Sequence, residues 1–146
     1  MFIVILALLS GKIPIRRIPL SNLRSSTDQR PLKQDHIADL IKAHIGGSFA
    51  LHRSTIYVIN SSHSTILYDI IDGQHRWAAL KRINERLPVN DQTSTAALEL
   101  NSMDCIVVPS TFTIEQQRIV ANITDGLTTV HLHFSNVDLV IIVRLI

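Results

Sequence analysis

Hydrophobic residues recur with helical spacing in three stretches of the chain. From Gln34 to Ile45 they fall at positions 37, 40, 41 and 45, and two glycines follow as a stop signal. A second set, between Trp77 and Ile83, begins directly after a polar turn. The third stretch, residues 114–123, follows threonines at 111 and 113 that are suited to cap a helix. The pattern predicts three amphipathic helices.

Runs rich in β-branched residues predict the strands. Residues 12–20 carry prolines at 14 and 19, which is typical of an edge strand because proline cannot donate a ladder hydrogen bond. Residues 55–59 and 65–71 flank a polar turn and predict a hairpin, and residues 103–108 form a strand closed by Pro109. Residues 21–33 are predicted to be a polar loop. The order of strand, helix, hairpin, helix, strand and helix predicts a small α+β fold.

Both ends of the chain are apolar. Residues 2–9 lack the basic flank and small-residue cleavage site of a secretory signal, and they are too short to span a bilayer as a helix. We predict an apolar amino-terminal extension over residues 1–11 and an apolar tail over residues 127–146. The tail is either an added strand or poorly anchored, and the two ends could pair with each other or with a sheet edge. The sequence predicts no membrane partner and favours a cytoplasmic or nuclear location over secretion.

Composition limits the classes of function. The chain has 146 residues, which suits one domain, and its net charge is +2 with 14 basic and 12 acidic residues. Such a balance does not supply a surface that neutralises a long run of DNA phosphates. The single cysteine, Cys105, excludes an internal disulfide and is predicted to be a small buried hydrophobe. His131 and His133 would share a strand face, but a third ligand is not evident and we predict no metal site.

The segment from Tyr68 to Ile83 places a buried strand, a glycine and two basic residues before a helix. Gly73 can adopt backbone angles that other residues avoid. The first helical turn has N–H groups without helical partners, and these would point outward beside His75 and Arg76. Amides, the helix dipole and a guanidinium group then converge on one place. This combination predicts a phosphate site.

Each residue of the turn also has a structural interpretation. A cation such as Arg76 in a first turn is unfavourable by about 0.3–1 kcal/mol unless an anion or an acid lies nearby. Asp72 could be that acid; it could also cap the helix, bind magnesium, or act as a general base and so be the catalytic residue. His75 would bond a phosphate oxygen or a backbone carbonyl. Gln74 is no nucleophile and would orient groups or bond a ligand, and Trp77 is predicted to be core rather than a base-stacking platform.

The string Asp72-Gly73-Gln74-His75-Arg76, with the strand before it and the helix after it, resembles the ParB/sulfiredoxin superfamily, including the branch named for its DGQHR motif. The resemblance covers roughly residues 12–126, which we predict to be one ParB/sulfiredoxin-like domain. Within it, residues 13–23 are similar to the family's first strand and loop, and residues 55–71 to its hairpin. The resemblance implies a mixed sheet with a hairpin and packed helices.

The resemblance also implies ligands. In sulfiredoxins the motif is Gly-Cys-His-Arg and binds ATP phosphate, and in chromosome-partition ParB proteins a Gly-Glu-Arg-Arg stretch grips CTP. Gln74 stands where sulfiredoxins have their attacking cysteine, so sulfiredoxin activity is disfavoured. The resemblance implies a nucleoside triphosphate, CTP or ATP, with magnesium, held by residues 73–76. It further implies that Arg30, otherwise a surface arginine, and Asn122 approach the nucleotide.

Three functions follow as hypotheses. The first is a nucleotide- or phosphate-binding ParB-like module, with weak phosphohydrolase or nuclease activity if Asp72 or water handles protons. The second is a non-catalytic DNA-associated regulator, in which the site would recognise a DNA phosphate. The third is a degenerate domain kept for protein interaction. The partners expected are accordingly a nucleotide, DNA and a second copy of the chain.

Overall fold

The computed structural model of the chain describes residues 15–26, 29–87, 98–124, 129–134 and 137–142. The chain divides into two compact units, one that ends at Ser110 and one that begins at Thr111. The predicted amino-terminal extension lies outside the described residues, as does the domain boundary predicted at residue 126.

The first unit is built on a five-stranded mixed sheet. The strands are β1 (Arg16–Pro19), β2 (Leu23–Ser25), β3 (Ile56–Asn60), β4 (Tyr68–Asp72) and β5 (Ser102–Val108). Their order in the sheet is β1-β5-β3-β4-β2, with β1/β5 and β3/β4 antiparallel, and β3/β5 and β2/β4 parallel. This confirms the predicted small α+β fold with a hairpin in a mixed sheet, and it places β1 at an edge as its prolines predict.

Two helices, α1 (Gln34–Ile45) and α2 (Gln74–Glu85), pack against each other beside the sheet. The helical spacing places Ile37 of α1 and Leu80 of α2 fully inside the core. Trp77 is partly buried against that core, which confirms its predicted structural role. The other fully enclosed side chains that form the core include Leu51, Ile56, Val58, Ile70, Met103, Cys105 and Val108.

One strand departs from the sequence prediction. Within the predicted polar loop of residues 21–33, the chain forms a short turn at Leu20–Asn22 and then β2, so the prediction is wrong there. β2 pairs parallel to β4, with Leu23 opposite Tyr68 and Ser25 opposite Ile70. Its three residues include one buried apolar side chain, Leu23, so no alternating pattern could reveal it. The pairing brings Ser25 next to the end of β4.

The second unit contains α3 (Ile114–Thr124) and a hairpin of β6 (Thr129–Phe134) and β7 (Val137–Ile142). A reciprocal capping box begins α3: the Gln116 N–H donates to Thr113 Oγ1 at 3.3 Å, and the Thr113 N–H donates to Gln116 Oε1 at 2.9 Å. This confirms the predicted threonine cap. The carboxyl-terminal apolar run pairs with the segment immediately before it. Among the described residues, no helix combines the length and apolar character needed to cross a membrane.

Candidate functional site

Gly73 occupies the turn between β4 and α2 and is the N-cap of the helix. Its backbone is left-handed, with φ 104° and ψ 17°. A Cβ atom built on it would lie 2.3 Å from Cγ2 and 2.8 Å from Cβ of Ile56 in β3. Glycine is therefore required both by the backbone angle, as predicted, and by close contact with the sheet. The Trp77 N–H donates to Gly73 O at 3.0 Å, so the amides of residues 74–76 come before the first helical hydrogen bond.

Arg76 joins three elements around this turn. Its Nη1 donates to the carbonyl of Thr55, just before β3, at 2.9 Å, and its Nη2 donates to Asp72 Oδ2 at 3.1 Å. The side chains of Arg76 and Asp72 are 25% and 17% exposed. The acid beside Arg76 is thus Asp72, one of the alternatives that the sequence left open. The favoured prediction that Asp72 caps α2 is wrong, because Asp72 ends β4, the N-cap is Gly73 and no described side chain caps the helix.

Tyr57 faces the same pair of charges. Its Cα is the β-ladder partner of Asp72, and its side chain is half-buried. Burial raises the pKa of the Tyr57 phenol, the Asp72 carboxylate raises it further, and Arg76 opposes them. Sequence reasoning missed Tyr57 because the β3–β4 register, and not a local motif, brings it to the site.

Gln74 is buried, with 9% of its surface exposed, and both ends of its amide are bonded to protein. The Ser25 hydroxyl donates to Oε1 at 3.0 Å, and Nε2 donates to the Arg30 carbonyl at 2.6 Å. Of the two predicted tasks, orienting groups and bonding a ligand, these contacts match the first. The partners come from β2 and from the chain that follows it.

His75 accepts a hydrogen bond at Nε2 from the Lys33 N–H, at 3.0 Å. A neutral imidazole that accepts at Nε2 carries its proton on Nδ1, so a bond from Nδ1 to a phosphate oxygen or to a carbonyl stays a prediction. The His36 ring lies edge-on to His75 with centroids 5.1 Å apart. Burial lowers the pKa of His75, and the charges of His36 and Lys33 lower it further, which favours the neutral imidazole that this bond requires.

Residues 29–33, which we call the crossing segment, lie against the turn through these contacts. The Gln29 amide Nε2 donates to the carbonyl of Ile70 and, at 2.9 Å, to that of Ile71, both in β4. The side chains of Arg30 and Lys33 are exposed. The structure therefore brings the Arg30 backbone next to the Gln74 side chain. Gln29 and Lys33 were missed because nothing distinguishes them within a polar loop.

Asn122 and Cys105 were also singled out from the sequence, and the structure describes the side chain of Cys105 only. Asn122 lies in α3, and because its side chain is outside the described part of the chain, its role stays a prediction. Cys105 is fully buried in β5, as predicted, and burial raises the pKa of its thiol to about 12. Such a thiol is protonated near neutral pH and is a poor nucleophile.

No cluster of three or more potential metal ligands is present among the described residues. The side chains of His131 and His133 are outside that part of the chain. The three acid–arginine pairs that the structure describes join Arg17 to Asp104, Arg24 to Asp69 and Arg76 to Asp72. Only the last of these lies at the Gly73 turn.

The fold is similar to that of the C-terminally truncated chromosome-partitioning protein ParB from Caulobacter crescentus. Its complex with CTP-gamma-S has a TM-score of 0.55 at 18% identity, covering 77% of this chain and 52% of that one. Its complex with the centromeric parS site has a TM-score of 0.50, also at 18% identity, covering 77% and 47%. C-terminally truncated SbnI from Staphylococcus aureus has a TM-score of 0.43 at 14% identity, covering 84% and 46%.

The chain therefore spans about half the length of the ParB chains that it matches. Its sequence matches no protein-family model and no curated protein. At these identities the likeness concerns the fold, and it confirms the ParB-like architecture that the segment around Gly73 predicts.

Proposed function

We propose that this chain is a nucleotide-binding module of ParB-like type, with the phosphates of CTP or ATP at the Gly73 turn. One observation carries the proposal: in a fold similar to that of ParB complexed with CTP-gamma-S, a left-handed glycine opens α2 beside Arg76, and the next residue, Gln74, is bonded to the backbone of Arg30. The helix dipole and three amides without helical partners favour an anion at this place.

Arg30 and Lys33 are the cations best suited to contact the phosphates. Both side chains are exposed, and both belong to the crossing segment that is bonded to Gln74 and His75. Arg76 has a different task, because two of its N–H groups already bond Thr55 O and Asp72. We assign Arg76 chiefly to holding the turn in shape, and we propose a bond to a phosphate oxygen as its second task.

Binding, and not catalysis, is the activity that we propose. An Asp72 carboxylate that accepts from Arg76 is less suited to take a proton from water than a carboxylate without a cationic partner. Magnesium would accompany the triphosphate and would neutralise part of its charge. By the family resemblance, Asn122 is a further proposed contact and a second copy of the chain is a further proposed partner. Extended DNA binding by this chain alone is not proposed, because its net charge is only +2.

Isothermal titration with the magnesium complexes of CTP and ATP tests the proposal, with cytidine and adenosine as ligands that lack phosphate. We expect measurable binding of at least one triphosphate and none of the nucleosides. Arg30→Ala should weaken that binding at least about tenfold, the effect of removing one charge-assisted contact. The matched control is Arg86→Ala, an exposed arginine at the other end of α2, which should leave affinity unchanged. Absence of binding at millimolar triphosphate, or equal effects of the two substitutions, would refute the proposal.

A further inference from the structure

Two consecutive residues of α2 use their side chains to hold the backbone of another segment. Gln74 Nε2 donates to the carbonyl of Arg30 at 2.6 Å, and His75 Nε2 accepts from the N–H of Lys33 at 3.0 Å. The two bonds have opposite polarity and lie three residues apart on the crossing segment. Together they fix both its position and its direction relative to the first turn of α2.

The orientation of the Gln74 amide is itself determined by a third group. The Ser25 hydroxyl donates to Oε1 at 3.0 Å, which directs Nε2 at the Arg30 carbonyl. Because Gln74 is almost fully buried, its amide is shielded from most of the competing water. Ser25 is exposed, so it can be changed with little disturbance of the core.

The crossing segment is also anchored at its beginning. The Gln29 amide donates to two carbonyls of β4, so the chain is held on both sides of Arg30. The Arg30 and Lys33 side chains nevertheless stay exposed. A segment with a fixed backbone and exposed cations loses less conformational entropy on binding an anion than a free loop would.

We infer that Gln74 and His75 are positioning residues, which hold the crossing segment across the Gly73 turn so that Arg30 and Lys33 are placed at the phosphate site. The inference rests on the proposed function for the identity of the ligand. It gives a physical role to the two residues between Gly73 and Arg76: they contact backbone and act on the nucleotide through other side chains.

Amide hydrogen exchange of the full chain without nucleotide directly tests the bond between the Lys33 N–H and His75. His75→Ala removes the acceptor of the Lys33 N–H, so exchange at that amide should accelerate at least about tenfold. The control is His36→Ala, which removes the neighbouring ring but not the acceptor, and it should change the same rate less than about twofold. An unchanged Lys33 exchange rate in His75→Ala would overturn the inference.

A double-mutant cycle on triphosphate affinity tests the positioning role. Gln74→Met keeps an unbranched side chain of similar size but loses both hydrogen bonds. It should weaken triphosphate binding about tenfold in the wild-type background and less than about twofold in an Arg30→Ala background. Equal weakening in both backgrounds would mean that Gln74 does not act through Arg30. The positioning inference would then be refuted, whereas the proposed nucleotide binding would stand.

If Gln74→Met does not fold, a milder variant tests the same positioning role. Ser25→Ala removes the donor to Oε1 at an exposed position and should reduce affinity in the same direction, again only when Arg30 is present. Failure of the wild-type chain to bind any triphosphate would instead refute the proposed function, and the positioning role with it. In that case, accelerated Lys33 exchange in His75→Ala would show that the bond between His75 and Lys33 stabilises the fold without a role in nucleotide binding.

Discussion

Gly73 satisfies two requirements, and a comparison with Gly47 separates them. Its φ of 104° lies in the left-handed region, and its missing Cβ leaves room for Ile56 of β3. Gly47, after α1, shares the first requirement with φ 75° but has no heavy atom within 4 Å of the place of its Cβ. The pair distinguishes backbone strain from close packing, because, of these two glycines, Gly73 alone has the second requirement.

Replacing each glycine by alanine should therefore give unequal losses of stability. Gly47→Ala should lower the free energy of unfolding by about 1–2 kcal/mol, the cost of a left-handed alanine. Gly73→Ala should lower it by that amount plus about 1–3 kcal/mol for overpacking against Ile56. Urea denaturation measures both values. Losses of equal size would show that contact with Ile56 does not constrain the turn.

His75 predicts how stability depends on pH. Burial, then His36 and Lys33, lower its pKa below the usual 6.5 in the folded chain, so the unfolded chain binds more protons in that region. The contribution of His75 to stability is thus fully present above pH 6.5 and is lost as the pH falls through the lowered folded value. The pKa of His52 is lowered as well, chiefly by burial, and adds to the same trend.

We expect His75→Ala to remove part, but not all, of this dependence. Urea midpoints measured between about pH 7.5 and about pH 5.5, on either side of an ordinary histidine pKa, should fall less steeply in the variant than in the wild type. His63→Ala, at an exposed position in the β3–β4 turn, serves as the control and should keep the wild-type slope. A His75→Ala slope equal to that of the wild type would contradict this account.

At the scale of elements, a helix or strand was predicted correctly when the contacts that determine it lie close together in the sequence. The α1 helix begins and ends where its spacing and flanking glycines predict, because those signals lie within the element. β2 was missed because its pairing with β4, 45 residues away at Leu23 and Tyr68, determines it. The site divides in the same way. Gly73 and Arg76 were found from a local motif, whereas Ser25 and Thr55 contribute a hydroxyl and a carbonyl that only tertiary pairing brings there.

Arg76 connects the beginning of β3, the end of β4 and the first turn of α2, and its geometry can be tested. A lysine keeps the charge but lacks the planar fork that bonds Thr55 O and Asp72 together. Arg76→Lys should lower the free energy of unfolding by about 1–3 kcal/mol, the cost of a lost hydrogen bond to a charged group. Arg86→Lys, at an exposed position after α2, should have almost no effect in the same urea titration. Matching effects would argue that Arg76 is only a surface charge.

At the scale of the whole molecule, the chain combines a ParB-like fold with little excess charge. It spans about half the length of the ParB chains that it matches, and its 14 basic and 12 acidic residues leave a net charge of +2. A triphosphate needs only a few cations and amides at one turn, and we propose that the residues around Gly73 supply them. An extended DNA duplex needs many cations distributed over a surface.

The salt dependence of binding separates these two kinds of partner. The logarithm of a DNA-binding constant falls with the logarithm of salt concentration by about 0.9 for each phosphate neutralised, so a DNA-binding surface with six or more phosphate contacts gives a magnitude above about 5. For this chain we expect CTP or ATP binding to persist at about 0.15 M salt, where its few charged contacts are only partly screened. A short DNA duplex should show no retardation in gel-shift assays under the same conditions. Arg30→Ala should reduce the slope for the triphosphate by less than about one, since it removes a single cation. Retention of duplex DNA with a steep slope that Arg30→Ala leaves unchanged would locate the main anion-binding surface elsewhere on the chain.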